Sequence, residues 1–243
     1  MAFRFKQFTV EDERSTMRIG TDAILLGAWA DPGPATSILD IGTGCGVISL
    51  ILAQKSETFI DAIDIDEESV KQAESNFSIS PWSERLSAKL ISLQELGKSS
   101  EKKYECIITN PPFFTGSLKS PDIRKNLARH TSSLSREDLV SGILHLLTKD
   151  GSFFLILPAA ESSRFTTLAE SAGLFIQKEM QVKPKKGNPV NRVLSRFGFD
   201  PCSSPSSEEL VIRNEDSTFT KEYIDFTDDY YFSLQQGKFP GTI

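Results

Sequence analysis

The sequence predicts a doubly wound α/β fold, because buried strands alternate with capped helices until two consecutive strands break the pattern. Short, continuous apolar runs bounded by turn residues are typical of a parallel sheet that is covered on both faces. The runs of this type are Ser37–Ile41, Phe59–Ile65, Lys89–Leu93, Tyr104–Thr109 and Ser152–Leu157. Strand–helix alternation with right-handed crossovers places helices on both faces of such a sheet, which is a Rossmann-like arrangement.

Helices are predicted around these strands from amphipathic patterns and capping residues. The segments are Thr21–Trp29, Val47–Gln54, Glu67–Phe77, residues 136–147 and Glu161–Ala172. Asp66 is the expected N-cap of the third segment, and Ser135 with Asp138 resembles a capping box at the start of the fourth. Gly173 is expected to end the last of them.

Two strand-like runs then follow without a helix between them, Leu174–Val182 and Arg192–Gly198. The link, Lys183–Asn191, is too short for a crossover helix, so the two strands should be antiparallel. We therefore expect a seven-stranded, mostly parallel sheet with one antiparallel strand. Residues 201–207 are rich in proline and serine and are predicted to form a surface loop.

The composition is that of an ordinary globular protein, with 243 residues of which 39% are hydrophobic and 25% charged. No apolar run reaches the roughly 18 residues that a membrane span needs. The N-terminus also lacks the apolar stretch of a signal peptide, so we expect a cytoplasmic protein without membrane contact. The cysteines Cys45, Cys106 and Cys202 lie far apart, and no cluster has metal-ligand spacing, so no metal is expected.

Charge is unevenly distributed along the chain. The net charge of −6 argues against indiscriminate binding of nucleic acid, yet residues 119–136 and 183–196 are basic and the C-terminal segment is acidic. An acidic protein with two basic loops suits an anionic partner that binds locally. A merely solvated surface is the alternative for each loop.

A glycine-rich loop follows the first core strand and precedes a helix, with the sequence Asp40-Ile41-Gly42-Thr43-Gly44-Cys45-Gly46. Glycines let the backbone turn sharply and approach a ligand, while a helix N-terminus favours negative groups. The spacing differs from the G-x-G-x-x-G of a dinucleotide fold. Asp64, 20 residues after Gly44, can accept hydrogen bonds from ribose hydroxyls. A carboxylate at Asp40 suits a cationic amino-acid group, and a plain tight turn or a dinucleotide site are the alternatives.

The second motif is Asn110-Pro111-Pro112-Phe113, which follows the predicted strand Tyr104–Thr109. Ligands collect at this edge of a doubly wound sheet, and consecutive prolines fix the turn. Asn110 Oδ1 and the Pro111 carbonyl can accept both N–H groups of an exocyclic amine, and Phe113 can stack on its base for roughly 1–3 kcal/mol. Such a site depends on positioning rather than on a protein nucleophile. A strand-ending turn without chemistry is the alternative.

The glycine loop, Asp64 and the inserted antiparallel strand resemble the pattern of class I S-adenosylmethionine-dependent methyltransferases. The resemblance implies that Asp40 and residues 42–46 surround the methionine part of the cofactor, and that Asp64, with Ile65 beside it, holds the ribose. Ser92 stands where many class I enzymes carry an acid for the adenine amino group. The Asn-Pro-Pro-aromatic turn is similar to that of amino-group methyltransferases acting on adenine N6, guanine N2 or a protein glutamine.

Further residues resemble the bacterial tRNA1(Val) adenosine-37 N6-methyltransferase family. They are Phe5-Lys6-Gln7-Phe8, the run from Met17 to Trp29, Ser80-Pro81-Trp82, and Ala128-Arg129-His130 followed by Leu134. The resemblance implies methylation of the adenosine just 3′ of the anticodon, and the two basic loops could grip the phosphates of that tRNA. A protein-glutamine methyltransferase, an rRNA guanine-N2 methyltransferase and a non-catalytic RNA-binding module are the alternatives.

Three segments are expected on this basis. Residues 1–35 form an N-terminal extension and a helix that closes over the cofactor site. Residues 36–200 form the methyltransferase core, and residues 201–243 form an acidic C-terminal extension.

Overall fold

A computed structural model of the protein describes residues 2–112 and 134–232. Its strands are β1 (Ala2–Arg4), β2 (Thr9–Glu11), β3 (Ser37–Ile41), β4 (Phe59–Asp64), β5 (Leu86–Leu90), β6 (Tyr104–Thr109), β7 (Leu147–Pro158), β8 (Phe175–Lys183), β9 (Arg192–Gly198) and β10 (Ser206–Val211). Its helices are α1 (Thr21–Trp29), α2 (Val47–Lys55), α3 (Glu67–Ser78), α4 (Leu93–Ser99), α5 (Arg136–Leu146), α6 (Ala159–Ser171) and α7 (Lys221–Thr227).

The main sheet is doubly wound, with the strand order β10-β8-β9-β7-β6-β3-β4-β5. Strand β9 is antiparallel to β7 and β8, whereas the other neighbours are parallel. Successive residues of β6 enter opposite cores: Ile108 packs in the cluster that includes α1, α2 and α3, and Ile107 in the cluster that includes α4, α5 and α6. The predicted Rossmann-like class I fold and its antiparallel strand are confirmed.

The sheet has an eighth strand where seven were predicted. Strand β10 begins inside the predicted surface loop and pairs with β8 in parallel. Leu210 is buried, whereas Glu208 lies 2.8 Å from Lys178 and Glu209 lies 2.7 Å from Lys183. The glutamates that give this segment its acidic composition therefore form ion pairs along the sheet edge. Their polar character is the reason that the sequence did not predict a strand here.

The third parallel strand lies earlier in the chain than predicted. Strand β5 ends at Leu90, and a helix begins at Leu93, where the sequence had suggested the end of a strand. The Ser92 side chain accepts from the Glu95 amide at 3.1 Å, while the Ser92 amide donates to the Glu95 carboxylate at 3.1 Å. This reciprocal capping box starts α4 and overrides the apolar run.

Predicted helix caps are confirmed. The Asp66 carboxylate accepts from the Ser69 amide at 2.8 Å, and the Ser135 hydroxyl accepts from the Asp138 amide at 2.9 Å. Among the described helices none has the length and apolar character that crossing a membrane requires. In the same part of the chain, no three His, Cys, Asp or Glu side chains are grouped so that they could hold a metal ion.

The two ends of the described chain pack against each other. The rings of Phe3, Phe5 and Tyr231 lie within 6.0 Å of one another, centroid to centroid. The Lys6 amide also donates to the Tyr230 carbonyl at 2.9 Å. The hairpin of β1 and β2 is thereby fixed to the segment that follows α7.

Candidate active site

Strand register brings the two sequence motifs together. Ile41, the last residue of β3, pairs with Thr109, the last residue of β6, and the buried Thr109 hydroxyl donates to the Ile41 carbonyl at 2.8 Å. The next residues, Gly42 and Asn110, therefore leave the sheet side by side. The strand order reverses between β3 and β6, which is the place where ligands bind in an open α/β sheet.

The glycine loop is held by its own backbone. The amides of Gly42 and Thr43 both donate to the Ile63 carbonyl, at 2.8 and 3.1 Å, which ties the loop to β4. Gly42, Gly44 and Gly46 have φ angles of +70°, +57° and +83°. Residues that carry a side chain rarely adopt these left-handed conformations, so the loop requires glycine at these positions.

Asp40 supports this loop from beneath. Its carboxylate is fully buried, and Oδ2 accepts from the Thr43 and Ser49 hydroxyls at 2.7 Å each. Burial raises the pKa of Asp40 to about 6 in spite of these hydrogen bonds. Oδ1 has no hydrogen-bond partner among the residues described.

Asp64 lies at the other side of the loop, at the end of β4. Its Oδ2 accepts from the Gly44 amide at 2.9 Å, and its Oδ1 accepts from the Asp66 amide at 3.0 Å. Burial raises the pKa of Asp64, while the backbone hydrogen bonds oppose that change. A carboxylate oxygen can accept more than one hydrogen bond, so both oxygens retain acceptor capacity.

Two adjoining cavities open at this edge of the sheet. The larger, of about 510 Å³, lies between the glycine loop, the start of α1 and Asn110-Pro111-Pro112. The smaller, of about 140 Å³, lies between Asp64 and the start of α4. The residues that line both cavities are Met17, Gly42, Gly44, Asn110 and Pro112.

Most of the predicted site residues line these cavities. Gly42, Gly44, Asn110 and Pro112 line both, Thr43 and Pro111 line the larger, and Asp64 and Ile65 line the smaller. Phe113 lies outside the described residues. The structure therefore brings the glycine loop, the acid after β4 and the start of the Asn-Pro-Pro turn to one place.

Asp40, Gly46 and Ser92 line neither cavity. The Asp40 carboxylate is occupied by Thr43 and Ser49, beneath the loop. A Cβ on Gly46 would clash with the Phe77 ring, so this glycine allows α2 to pack against α3. The Ser92 hydroxyl is engaged in the α4 cap and donates to the Glu95 carboxylate at 2.7 Å.

The walls also contain residues that were not predicted individually as site residues, although residues 1–35 were expected to close over the cofactor site. Residues from Thr16 to Ala23 line the cavities together with Asn110, and Ile91, Leu93 and Gln94 line the smaller one. One signal in the sequence could have indicated that the N-terminal segment docks here, namely the row of polar residues Ser69, Gln72 and Asn76 on one face of α3. The structure buries all three almost fully. All three accept hydrogen bonds from backbone amides of the N-terminal segment.

Only part of the predicted basic surface remains available to an anion. Lys183 pairs with Glu209 and Arg192 with Asp22, at 2.7 and 2.8 Å. Lys185 lies 3.3 Å from the Ser217 hydroxyl, and Lys186 is exposed. Of the other basic loop, Arg136 pairs with Glu161, and residues 119–133 lie outside the described part of the chain.

The fold and the site together define a class I methyltransferase. A family model described as the methyltransferase small domain matches residues 15–159. A tRNA1(Val) (adenine(37)-N6)-methyltransferase of Parabacteroides distasonis is 38% identical over 232 residues, covering 96% of this chain and 98% of its own. The protein of that name from Phocaeicola vulgatus is 40% identical, with the same coverage. The chain belongs to the methyltransferase small domain family and, within it, to the tRNA1(Val) (adenine(37)-N6)-methyltransferase family.

Solved structures agree on the fold. A chain from Agrobacterium tumefaciens, described as a predicted O-methyltransferase, superposes with a TM-score of 0.65 at 18% identity, covering 86% of this chain and 96% of its own. A glycopeptide N-methyltransferase solved with S-adenosyl-L-methionine gives 0.51 at 11% identity, covering 69% of this chain and 89% of its own. At such identities the likeness concerns the architecture alone.

Proposed function

We propose that the protein transfers a methyl group from S-adenosylmethionine to the N6 amine of adenosine 37 in tRNA1(Val). The observation that carries this proposal is the shared wall of the two cavities, where Asn110 stands beside the glycine loop. The names of the relatives that match nearly the whole chain support an RNA adenine rather than a glutamine amide or a guanine.

The cavity residues fit S-adenosylmethionine. A Cβ on Gly42 would meet no atom within 4 Å, so the bare backbone leaves room for a ligand against the loop. The remaining acceptor capacity of Asp64 suits the two ribose hydroxyls. Ile65, Ile91 and Leu93 supply apolar surface for the adenine ring. We infer that the nucleoside occupies the smaller cavity.

The methionine part then belongs in the larger cavity. Gly20, the N-cap of α1, makes no side-chain cap, and Gly20 to Ala23 line this cavity. Amides at the start of a helix favour an anion, so those of Thr21 and Asp22 suit the carboxylate of the methionine part, whereas the Ala23 amide already donates to the Gly20 carbonyl at 3.2 Å. Asp40 acts in this arrangement by fixing Thr43 and the loop rather than by touching the cofactor.

The bound cofactor supplies a methyl group on a positively charged sulfur, and the chain positions the amine that receives it. Asn110 Oδ1 and the Pro111 carbonyl accept the two N–H groups of the amine. These hydrogen bonds favour a pyramidal nitrogen, whose lone pair is no longer delocalised into the base ring and can be aimed at the methyl group. Pro111 is buried, and two successive prolines restrict the backbone, so this pair of acceptors has a fixed direction. Such positioning lowers the barrier without a protein nucleophile.

The carboxyl edge of the sheet also offers a place for the RNA backbone. The loop between β8 and β9 lies at this edge, because β8 runs parallel to β7 through the antiparallel β9. Lys185 and Lys186 in this loop are suited to phosphate contacts. An anticodon-loop base is single-stranded, so turning it into the site costs less than opening a duplex. A tRNA substrate also implies residence in the cytoplasm.

The experiment is incubation of the purified protein with labelled S-adenosylmethionine and total tRNA from a strain that lacks the gene. Nucleoside analysis should find the label in N6-methyladenosine. Label in N2-methylguanosine, or transfer only when protein replaces tRNA, would overturn the proposed substrate.

A further inference from the structure

One exposed side chain, that of Met17, lines both cavities. It is 57% exposed, although it belongs to the wall of a partly polar site. Apart from two glycines, its companions on the shared wall are Asn110 and Pro112. Met17 is therefore the one flexible apolar side chain on this wall among the residues described.

The backbone around Met17 is fixed, so its exposure does not reflect a loose tail. The Thr16 amide donates to the Ser69 hydroxyl at 3.2 Å, and the Ile19 amide donates to the Asp12 carboxylate at 3.0 Å. The neighbouring Arg18 pairs with Asp12 at 2.7 Å. The segment is thus attached on both sides of Met17, and the charge next to it is already paired.

The proposed reaction brings an aromatic base to this place. Asn110 receives the amine, so the base that carries the amine must lie against the wall that Asn110 shares with Met17. Pro112, which is exposed, belongs to the turn that begins at Asn110, whereas Met17 belongs to the separate N-terminal segment, and both line the cavities. A thioether makes favourable contacts with aromatic rings.

We propose that Met17 binds the target base by packing against its face, opposite the Asn110-Pro111-Pro112 turn. The inference rests on the proposed function, because it assigns the surface that holds the adenine of the RNA. Met17 contributes apolar contact and shape, and Asn110 contributes the hydrogen bonds. This residue thereby selects for a flat aromatic acceptor and holds it for transfer.

The test compares Met17→Ala with Met17→Leu, which keeps an apolar side chain of similar size. Ile79→Ala is the matched control, because Ile79 is 66% exposed and lines neither cavity. Calorimetry measures S-adenosylmethionine affinity without RNA, and methyl transfer to tRNA gives kcat and KM. We expect Met17→Ala to lower kcat/KM for tRNA roughly five- to tenfold. Met17→Leu and Ile79→Ala should stay within about twofold of the wild type.

The outcomes separate this inference from the proposed function. If Met17→Ala weakens S-adenosylmethionine as much as it slows transfer, the residue contacts the cofactor, and the inference is wrong. An unchanged kcat/KM in Met17→Ala, with an active wild type, also overturns it and leaves the proposed function standing. A wild type that methylates no tRNA overturns both.

Discussion

The Asp64 carboxylate accepts a hydrogen bond from the Gly44 amide at 2.9 Å, which joins the end of β4 to the loop that follows β3. Both residues line the smaller cavity, and the Asp64 side chain reaches it with acceptor capacity unused by the protein. The bond thus fixes the position of the acid relative to the loop, between which we propose that the ribose binds.

Replacement of Asp64 should weaken the cofactor. Asp64→Ala removes charge-assisted hydrogen bonds to two hydroxyls, so we expect S-adenosylmethionine affinity to fall by about 2–3 kcal/mol, or roughly 30- to 150-fold. Asp64→Asn, which keeps the size and one acceptor oxygen, should give an intermediate loss. Calorimetry measures both, and unchanged affinity in Asp64→Ala would refute the ribose role.

A methyl group on Gly42 should also impair cofactor binding. Gly42 and Gly173 both have positive φ angles, +70° and +88°, and a Cβ on either would meet no atom within 4 Å. Alanine at either position should lower the free energy of unfolding by about 1–2 kcal/mol, because a residue with a side chain is strained in the left-handed region. Only Gly42→Ala should lower S-adenosylmethionine affinity. Equal affinities in the two variants would show that no ligand approaches Gly42.

Asp40 should make stability depend on pH. Burial raises its pKa from 3.8 to about 6, so the folded protein holds this proton more tightly than the unfolded chain does. The stability contributed by the protonated group is present below about pH 4 and is lost as pH rises through about 6. Asp40→Asn, which stays neutral, should therefore gain about 3 kcal/mol relative to the wild type between these limits. Urea unfolding at a series of pH values measures the difference, and a difference independent of pH would contradict the raised pKa.

Lys186 should contribute to tRNA binding through phosphate contact. We expect tRNA affinity to fall steeply between low and moderate salt. Lys186→Ala should reduce the magnitude of the slope of log K against log salt concentration by about 1, which corresponds to the loss of one phosphate contact. Lys98→Ala is the control, because Lys98 is an exposed residue in the last turn of α4. A wild-type affinity that does not respond to salt would point to an uncharged or protein substrate.

The sequence predicted the core of the fold because apolar runs and caps determine it locally. Asp66 and Ser135 cap their helices as expected, and the short link between β8 and β9 correctly required an antiparallel pair. Prediction failed where local signals competed. The Ser92–Glu95 capping box starts a helix inside an apolar run that was predicted to be a strand. The glutamates of β10, which form ion pairs with lysines, made that strand resemble a loop in the sequence.

The site was predictable where one motif sufficed, and unpredictable where it depends on distant contacts. The glycine loop and Asn110 come together through strand register, which the order of the strands implies. Met17 reaches the cavity only because α3 binds the N-terminal segment, and no sequence pattern shows that docking directly. The contact of Asp40 with a ligand stays a prediction, and its hydrogen bonds from the Thr43 and Ser49 hydroxyls become visible only in three dimensions.

Single-turnover methyl transfer by Asn110→Ala tests the central claim most directly. The reaction uses saturating S-adenosylmethionine and tRNA, and calorimetry of the same variant measures cofactor affinity. Loss of the acceptor for the amine should lower the transfer rate by roughly 10²–10³-fold, with cofactor affinity within about threefold of the wild type. A variant that transfers at the wild-type rate would contradict the assignment of the amine to Asn110.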